Sequence, residues 1–272
     1  MTYNLFNPLS PYRPLVRHFE LITQLARRDV VSRYRGSFVG LFWSFINPLL
    51  MLLIYTFVFG VIFKARWNTQ TTGHFAFALI LFAGLNVSTL FSECANRAAT
   101  LIIENTNFVK KVVFPLEILS WSVLGAAMFH LMISTIALLT ISVFVNGGIP
   151  WTGVFFPVVI ASFLPFVAGT IWLVGSLGVF LRDIKQLISI VTTALMFLAP
   201  ILYPVTMLPE RFRPWLYLNP LTEIAIASQD VLIWGRAPNW AHLGLYSLFS
   251  CAFAWCAFAW FEKTRKGFAD VL

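Results

Sequence analysis

Charge is what this chain lacks. Of its 272 residues only 11% are Asp, Glu, Lys or Arg, and 59% are apolar. A soluble domain carries roughly 25% charged residues, so the balance excludes one and points to an integral membrane protein. Cysteine is scarce too. Cys94, Cys251 and Cys256 are odd in number, lie in or beside apolar runs and show no metal-ligand spacing. That pattern excludes a disulfide framework and a zinc site and leaves reduced, packed thiols. The apolar runs are continuous and not ~10-residue alternating segments, which excludes a membrane β-barrel. No GxxxxGK[ST] phosphate loop, HExxH or GxSxG occurs, and the four histidines (His18, His74, His130, His242) are scattered. The chain therefore has no evident catalytic constellation and no means of binding ATP. The first 27 residues hold Arg13, Arg17 and Arg27 but no early apolar core of a secretory signal. Entry into the membrane through its own first span is expected.

What is present is best read from residues 28–63. The segment opens basic and aromatic, and Ser37 to Phe63 then runs 27 residues without a charge. At 1.5 Å per residue that is ~40 Å of helix, more than the ~30 Å hydrocarbon core needs. Ahead of it, residues 14–35 form an amphipathic pattern. Leu15, Phe19, Ile22, Leu25, Ala26 and Val30 recur at three- and four-residue intervals opposite Arg17, Gln24, Arg27 and Arg28. Such a helix is expected to lie in the membrane interface.

Six spans follow from the apolar runs, at 38–63, 74–96, 118–145, 153–181, 187–207 and 241–261. Asn47-Pro48 predicts a kink or backbone irregularity in the first. Asn146-Gly147-Gly148-Ile149-Pro150 predicts a tight turn. Residues 208–235 hold apolar pieces too short to cross, which suits re-entrant or interfacial helices. Six spans put both termini on one side. Fourteen of the 19 Lys and Arg then fall on the terminus side and five on the other. The positive-inside bias makes both termini cytoplasmic. It also explains the +8 net charge without a nucleic-acid partner.

Four features are candidate sites. Arg28, Arg33, Tyr34 and Arg35 cluster at the cytoplasmic start of span one. Guanidinium forks suit the phosphate of an anionic lipid headgroup, although positive-inside anchoring explains the same charges. In the connector 98–117, Glu104 and Asn105 precede Phe108, with Lys110 and Lys111 following. This is either a surface loop on lipid or a docking helix for a soluble partner. Aromatic residues are abundant, at 17% of the chain. Phe42, Trp43 and Tyr55 in span one, with Phe197 and Tyr203 in span five, are candidate walls of a glycan conduit. Lipid-facing packing is the plainer account. His130 is an ionisable group in mid-span, which marks a functional candidate; a neutral histidine bonded to a neighbouring helix accounts for it as well.

Four blocks carry a resemblance: RYRGSFVGLFWSFINPLLMLLIYTFVFGVIF, ENTNFVKKVVFPLEILS, FLRDIKQLISIVTTALMFLAPILYPVTMLP and LNPLTEI. In this order they resemble the membrane subunit of bacterial polysaccharide-exporting ABC transporters, the O-antigen (Wzm-type) and teichoic-acid (TarG-type) export permeases. The resemblance implies an all-α inner-membrane protein with an N-terminal amphipathic gate helix at 14–35. It implies a coupling helix at about 101–113, with Glu104, Asn105, Phe108, Lys110 and Lys111 docking on the ATPase, and re-entrant periplasmic gate helices at 208–235. It further implies a homodimer paired with two copies of a cytoplasmic ABC ATPase, which holds the ATP and Mg; this chain itself would carry no cofactor. The substrate would be a polysaccharide on an undecaprenyl diphosphate carrier. Leu116 stands where the family usually has a basic residue, and Ser228-Gln229 where it often has an aromatic-Arg pair. Export of teichoic acid, capsule or a non-glycan lipid or drug fits the same architecture. A membrane-embedded transferase would need a polar catalytic cluster that the sequence does not display.

Overall fold

The computed structural model describes residues 7–37, 39–62, 74–109, 114–181 and 183–272. Among them the regular structure is all helical. A short 3₁₀ turn, Ser10–Tyr12, leads into α1 (Arg13–Arg17) and α2 (Phe19–Tyr34). The expected helix over 14–35 is therefore broken, at His18, whose φ of −121° and ψ of 29° leave the helical region. Next come α3 (Trp43–Tyr55), α4 (His74–Glu104), α5 (Thr106–Val109), α6 (Ile118–Asn146), α7 (Phe156–Phe180) and α8 (Ile184–Leu198). α9 (Arg213–Leu216), α10 (Thr222–Gln229), α11 (Trp240–Thr264) and α12 (Phe268–Val271) complete the chain.

Among the described residues, five segments are long and apolar enough to cross a membrane: Gly40–Phe59, Phe77–Glu104, Ile118–Val145, Trp151–Phe180 and Trp240–Val271. The span expected at 187–207 differs. Its helix, α8, has 15 residues, ~22 Å of rise, short of the ~30 Å core. The cause is Pro200, which bars helical geometry from the residue before it. Ala199 is accordingly extended, at φ −81° and ψ 149°. Conversely, α4 does not end near residue 96 but continues to Glu104. Charged residues there suggested a membrane boundary, but a helix stops for backbone reasons and no proline intervenes before Pro115. The expected coupling helix over 101–113 is thus the last turn of α4 plus the four-residue α5. Residues 110–113 lie outside the described residues, as do the polar loop at 65–73 and Arg182.

In the first span the α-helix passes through Pro48, which is buried. The irregularity comes later, as a π-helical turn over Thr56–Ile62. The Asn146–Pro150 turn forms as expected. Gly147 takes the left-handed conformation at φ 74°, and its N–H closes on the Val143 carbonyl at 3.0 Å, a glycine helix stop.

α4 and α7 are the buried centre, while the first, third and last spans leave most of their apolar surface uncovered. α7 packs along both α4 and α11. Small residues bring the α4 and α7 backbones together: a methyl group on Gly178 would run into the carbonyl oxygen of Ala99, whereas one on Gly175 would sit 3.6 Å from the Ala98 oxygen. α10, too short to cross, is buried against α4.

Substituting glycine by alanine inside a helix favours the helix by up to ~1 kcal/mol. Gly178→Ala is nevertheless expected to destabilise the protein by about 1–3 kcal/mol through overpacking. Gly175→Ala is expected to be neutral or stabilising. Thermal unfolding of the two variants in detergent separates them, and equal midpoints would show that the close backbone approach is absent.

Candidate functional site

The site grows from two short patterns. Asp29 and Arg33 are four residues apart on α2, and Glu93 and Arg97 are four apart on α4, so each pair shares a helix face. The two faces meet with the helices antiparallel. Asp29 Oδ2 pairs with Arg97 Nη2 at 3.2 Å, and Arg33 Nη1 donates to Glu93 Oε1. The α2 face that does this also buries Ile22, Leu25 and Val30, and it packs on α6, where Ala26 meets Gly125. α2 is thus docked on two membrane helices by an apolar stripe with two ion pairs at one end.

α6 completes the cluster through His130. Its Nδ1 lies 2.9 and 3.1 Å from the two Glu93 oxygens, and its Nε2 lies 3.4 Å from the Tyr34 hydroxyl. With Nδ1–H donating to the carboxylate, Nε2 is the acceptor for Tyr34 O–H. Burial pushes the Tyr34 phenol above its ordinary range, Arg33 opposing and Glu93 adding to the shift, so Tyr34 remains a neutral donor. His130 is thus bonded to a neighbouring helix. Its partner, Glu93, has a largely buried side chain, as does Asp29, while Arg33 is half exposed.

The cluster borders a cavity of about 780 Å³ between α2, α4 and α8. Asp29, Arg33, Glu93 and Arg97 line one part, Lys185 and Met196 of α8 another, and Glu104 lies at the far end of α4.

Of the expected headgroup residues, the structure brings Arg33 and Tyr34 together at Glu93 and His130. Arg28 and Arg35 do not join them. Both are exposed, and Arg28 makes only a 3.8 Å contact to Asp29. Of the expected coupling residues, Glu104 is exposed, Asn105 bonds back to the Leu101 carbonyl at 2.8 Å, and Phe108 stacks on Phe114 with ring centroids 4.2 Å apart. Lys110 and Lys111 lie outside the described residues. The base of this segment is tied down by Arg265, which donates to buried Glu117 at 2.9 Å, to Glu262 at 3.2 Å and to the Phe114 carbonyl at 3.4 Å. Among the expected channel residues, Phe42, Trp43 and Phe197 are exposed. Tyr55 is half-buried against Phe59, and Tyr203, half-buried, donates to the Leu198 carbonyl at 3.3 Å. Among the described residues no ring contact joins the α3 aromatics to Phe197 or Tyr203.

Sequence reasoning missed Asp29, Glu93 and Arg97. The signal was available: a carboxylate four residues ahead of an arginine, on a buried face, in each of two helices.

The family model described as ABC-2 type transporter matches residues 20–233. The chain is 30% identical over 260 residues to the O-antigen export system permease protein RfbA of Myxococcus xanthus, covering 95% of this chain and 97% of that protein. It is 26% identical over 258 residues to an O-antigen export system permease protein RfbA of Klebsiella pneumoniae, covering 93% and 95%. The polysialic acid transport protein KpsM of Escherichia coli is 22% identical over 236 residues, covering 84% and 87%.

Asp29→Ala and Arg97→Ala are each expected to destabilise the protein. The double variant is expected to lose less than the sum by ~1 kcal/mol or more, as contacting charges do. Thermal unfolding of the four proteins in one detergent measures this. Strict additivity would show that the pair does not hold α2 in place.

Proposed function

Because the chain belongs to the ABC-2 type transporter family of membrane permeases, we propose that it is the membrane subunit of an ABC exporter of surface polysaccharide, with lipid-linked O-antigen as cargo. The end-to-end match to O-antigen export permeases carries this reading, since it leaves only a few per cent of either chain unaligned. ATP hydrolysis belongs to a separate subunit in this proposal, two copies of which pair with two copies of the permease in the bacterial inner membrane.

The parts take roles as follows. α8 is the fifth of six crossings, completed by the irregular stretch after Ala199, and both termini are cytoplasmic, in line with the distribution of Lys and Arg. The segment from 208 to 235 re-enters from the periplasmic side. At the cytoplasmic face Arg28 and Arg35 are exposed, and Arg33 has spare guanidinium donors beyond its bond to Glu93. With Tyr34 these arginines receive the carrier diphosphate, whose oxygens match the planar guanidinium fork. Glu104, Asn105 and Phe108, with Lys110 and Lys111, dock on the ATPase. The exposed aromatics Phe42, Trp43 and Phe197, with Tyr55 and Tyr203, line a passage that a second copy of the chain completes. Their faces stack on sugar rings.

Two measurements test this. In cells deleted for their own O-antigen export permease, the chain with its cognate ATPase is expected to restore surface polysaccharide. Arg28→Ala with Arg35→Ala, which spares the Arg33–Glu93 bond, is expected to cut export at least tenfold at unchanged protein level; full export would remove the headgroup role. Phe108→Ala is expected to reduce the ATPase recovered with the affinity-purified permease, and undiminished recovery would place the docking surface elsewhere.

A further inference from the structure

Arg265 is a cation turned into the protein. It stands where α11 gives way to a 3₁₀ turn over Arg265–Gly267 and then to α12. Aromatic side chains clamp the backbone on both sides of it. Phe261 and Phe268 are buried and meet edge to face with centroids 5.6 Å apart, and Phe180 of α7 lies 6.0 Å from Phe268. An arginine at the end of a membrane helix ordinarily reaches for headgroups and anchors the helix. This side chain is only 23% exposed, and both of its terminal nitrogens bond to protein acceptors. Nη1 donates to Glu117 and Glu262, and Nη2 donates to the Phe114 carbonyl.

These acceptors belong to different parts of the fold. Glu117 immediately precedes α6 and is 1% exposed. Phe114 lies between α5 and α6, and its ring is stacked on Phe108 of α5 with 10° between the planes. One planar fork thus touches the segment behind α5, the start of α6 and the end of α11. Exposed ion pairs hold little, but a carboxylate as enclosed as Glu117 requires its counter-charge. The spacing of the three elements is therefore fixed by the arginine. α5 follows α4 directly and moves with it. α11 packs along α7 and is joined to the segment behind α5 by Arg265.

We infer that Arg265 is the positioning residue that carries ATPase-driven movement of α5 to α11 and α6. The assignment rests on the export reading above, in which α5 docks on the ATPase, and names the side chain through which hydrolysis is made to move glycan. With the fork intact, a displacement of α5 draws Phe114 with it, and the guanidinium passes the displacement to both helices. With the fork removed, α5 still docks and the ATPase still cycles, but α11 stays behind.

The test removes the charges together, because Arg265→Met alone would leave Glu117 enclosed without a counter-charge. The triple variant Glu117→Gln, Glu262→Gln, Arg265→Met keeps the shapes and abolishes the ion pairs. Arg265→Lys keeps the charge but offers a point in place of a planar fork. Each is expressed with the cognate ATPase in the permease-deleted strain. Both variants are expected to retain the ATPase on purification and to hydrolyse ATP within twofold of the parent. Export is expected to fall at least tenfold in the triple variant and at least threefold in Arg265→Lys. A fluorophore on Cys256, the exposed α11 thiol that remains after Cys251→Ser, reports on α11 itself. Its emission is expected to shift when a non-hydrolysable ATP analogue binds the parent complex, and the shift to shrink at least fivefold in the triple variant. Parental export, export and hydrolysis falling in step, or an undiminished Cys256 response each overturns the role. A triple variant that does not reach the membrane leaves Arg265→Lys to decide by the same readouts. A parent that hydrolyses ATP but restores no export overturns the export reading, while the Cys256 response still decides whether Arg265 links the ATPase to α11.

Discussion

An ionised carboxylate does not enter an apolar interior alone. Asp29 and Glu93 are both largely buried, and each is matched by a guanidinium from the other helix. Removing one partner of such a pair leaves a buried charge uncompensated, which is far more costly than the pair itself is stabilising. The placement of α2 therefore follows from α4 as well as from its apolar packing on α6. The crossed order of the charges permits only antiparallel pairing, and a shift of one turn would set carboxylate against carboxylate. Once α2 is held this way, Tyr34 reaches His130 on α6 and Arg28 and Arg35 are left facing outward. The exposed cationic surface at the membrane face is a by-product of the neutralised one beneath it.

Much of this was legible in the sequence, for identifiable reasons. Long apolar runs cannot hide, so the all-helical membrane class and the five long segments could be read directly. The Asn146–Pro150 turn was equally plain, because glycine and proline leave few alternatives. What could not be read were the places where tertiary partners change the meaning of a residue. Glu93 and Arg97 looked like the end of a membrane crossing, yet they lie within a helix that continues to Glu104, and their charges are matched by α2. Asp29 sat among polar residues of an amphipathic pattern and proved to be on the buried face. Phe19, assigned to the apolar face, is 62% exposed. The end of α8 was legible in principle from Pro200, but the apolar run masks it because hydrophobicity continues where helix does not.

The end of the bundle that carries α5 is tied together by a second charged knot. Arg265, at the end of α11, holds Glu117 at the start of α6 and the carbonyl of Phe114. Phe114 in turn stacks on Phe108 of α5. α5 is thereby connected to α11 as well as to α4, although α5 and α11 are over a hundred residues apart in sequence. At the opposite end the segment from Ala199 to Trp234, which holds only short helices, is tied to its neighbours by side-chain bonds to carbonyls. Asn219 bonds the Leu195 carbonyl at 2.7 Å, Tyr246 the Pro220 carbonyl at 2.9 Å and Thr152 the Val231 carbonyl at 2.8 Å. Asn219 thereby ties the segment to α8, Tyr246 ties it to α11, and Thr152 ties it to the turn that precedes α7.

The close contact between Ala99 and Gly178 makes α4 a lever with an off-centre fulcrum. The helix is unbroken from His74 to Glu104. The arm from Ala99 to the Glu104 end is ~7 Å, and the arm back to Ile80, where Gln229 of α10 is bonded, is ~28 Å. Any tilt of α4 about that backbone contact is magnified about fourfold at the α10 end. A displacement of one ångström beside α5 becomes one of roughly four beside α10, without any change in the helix itself.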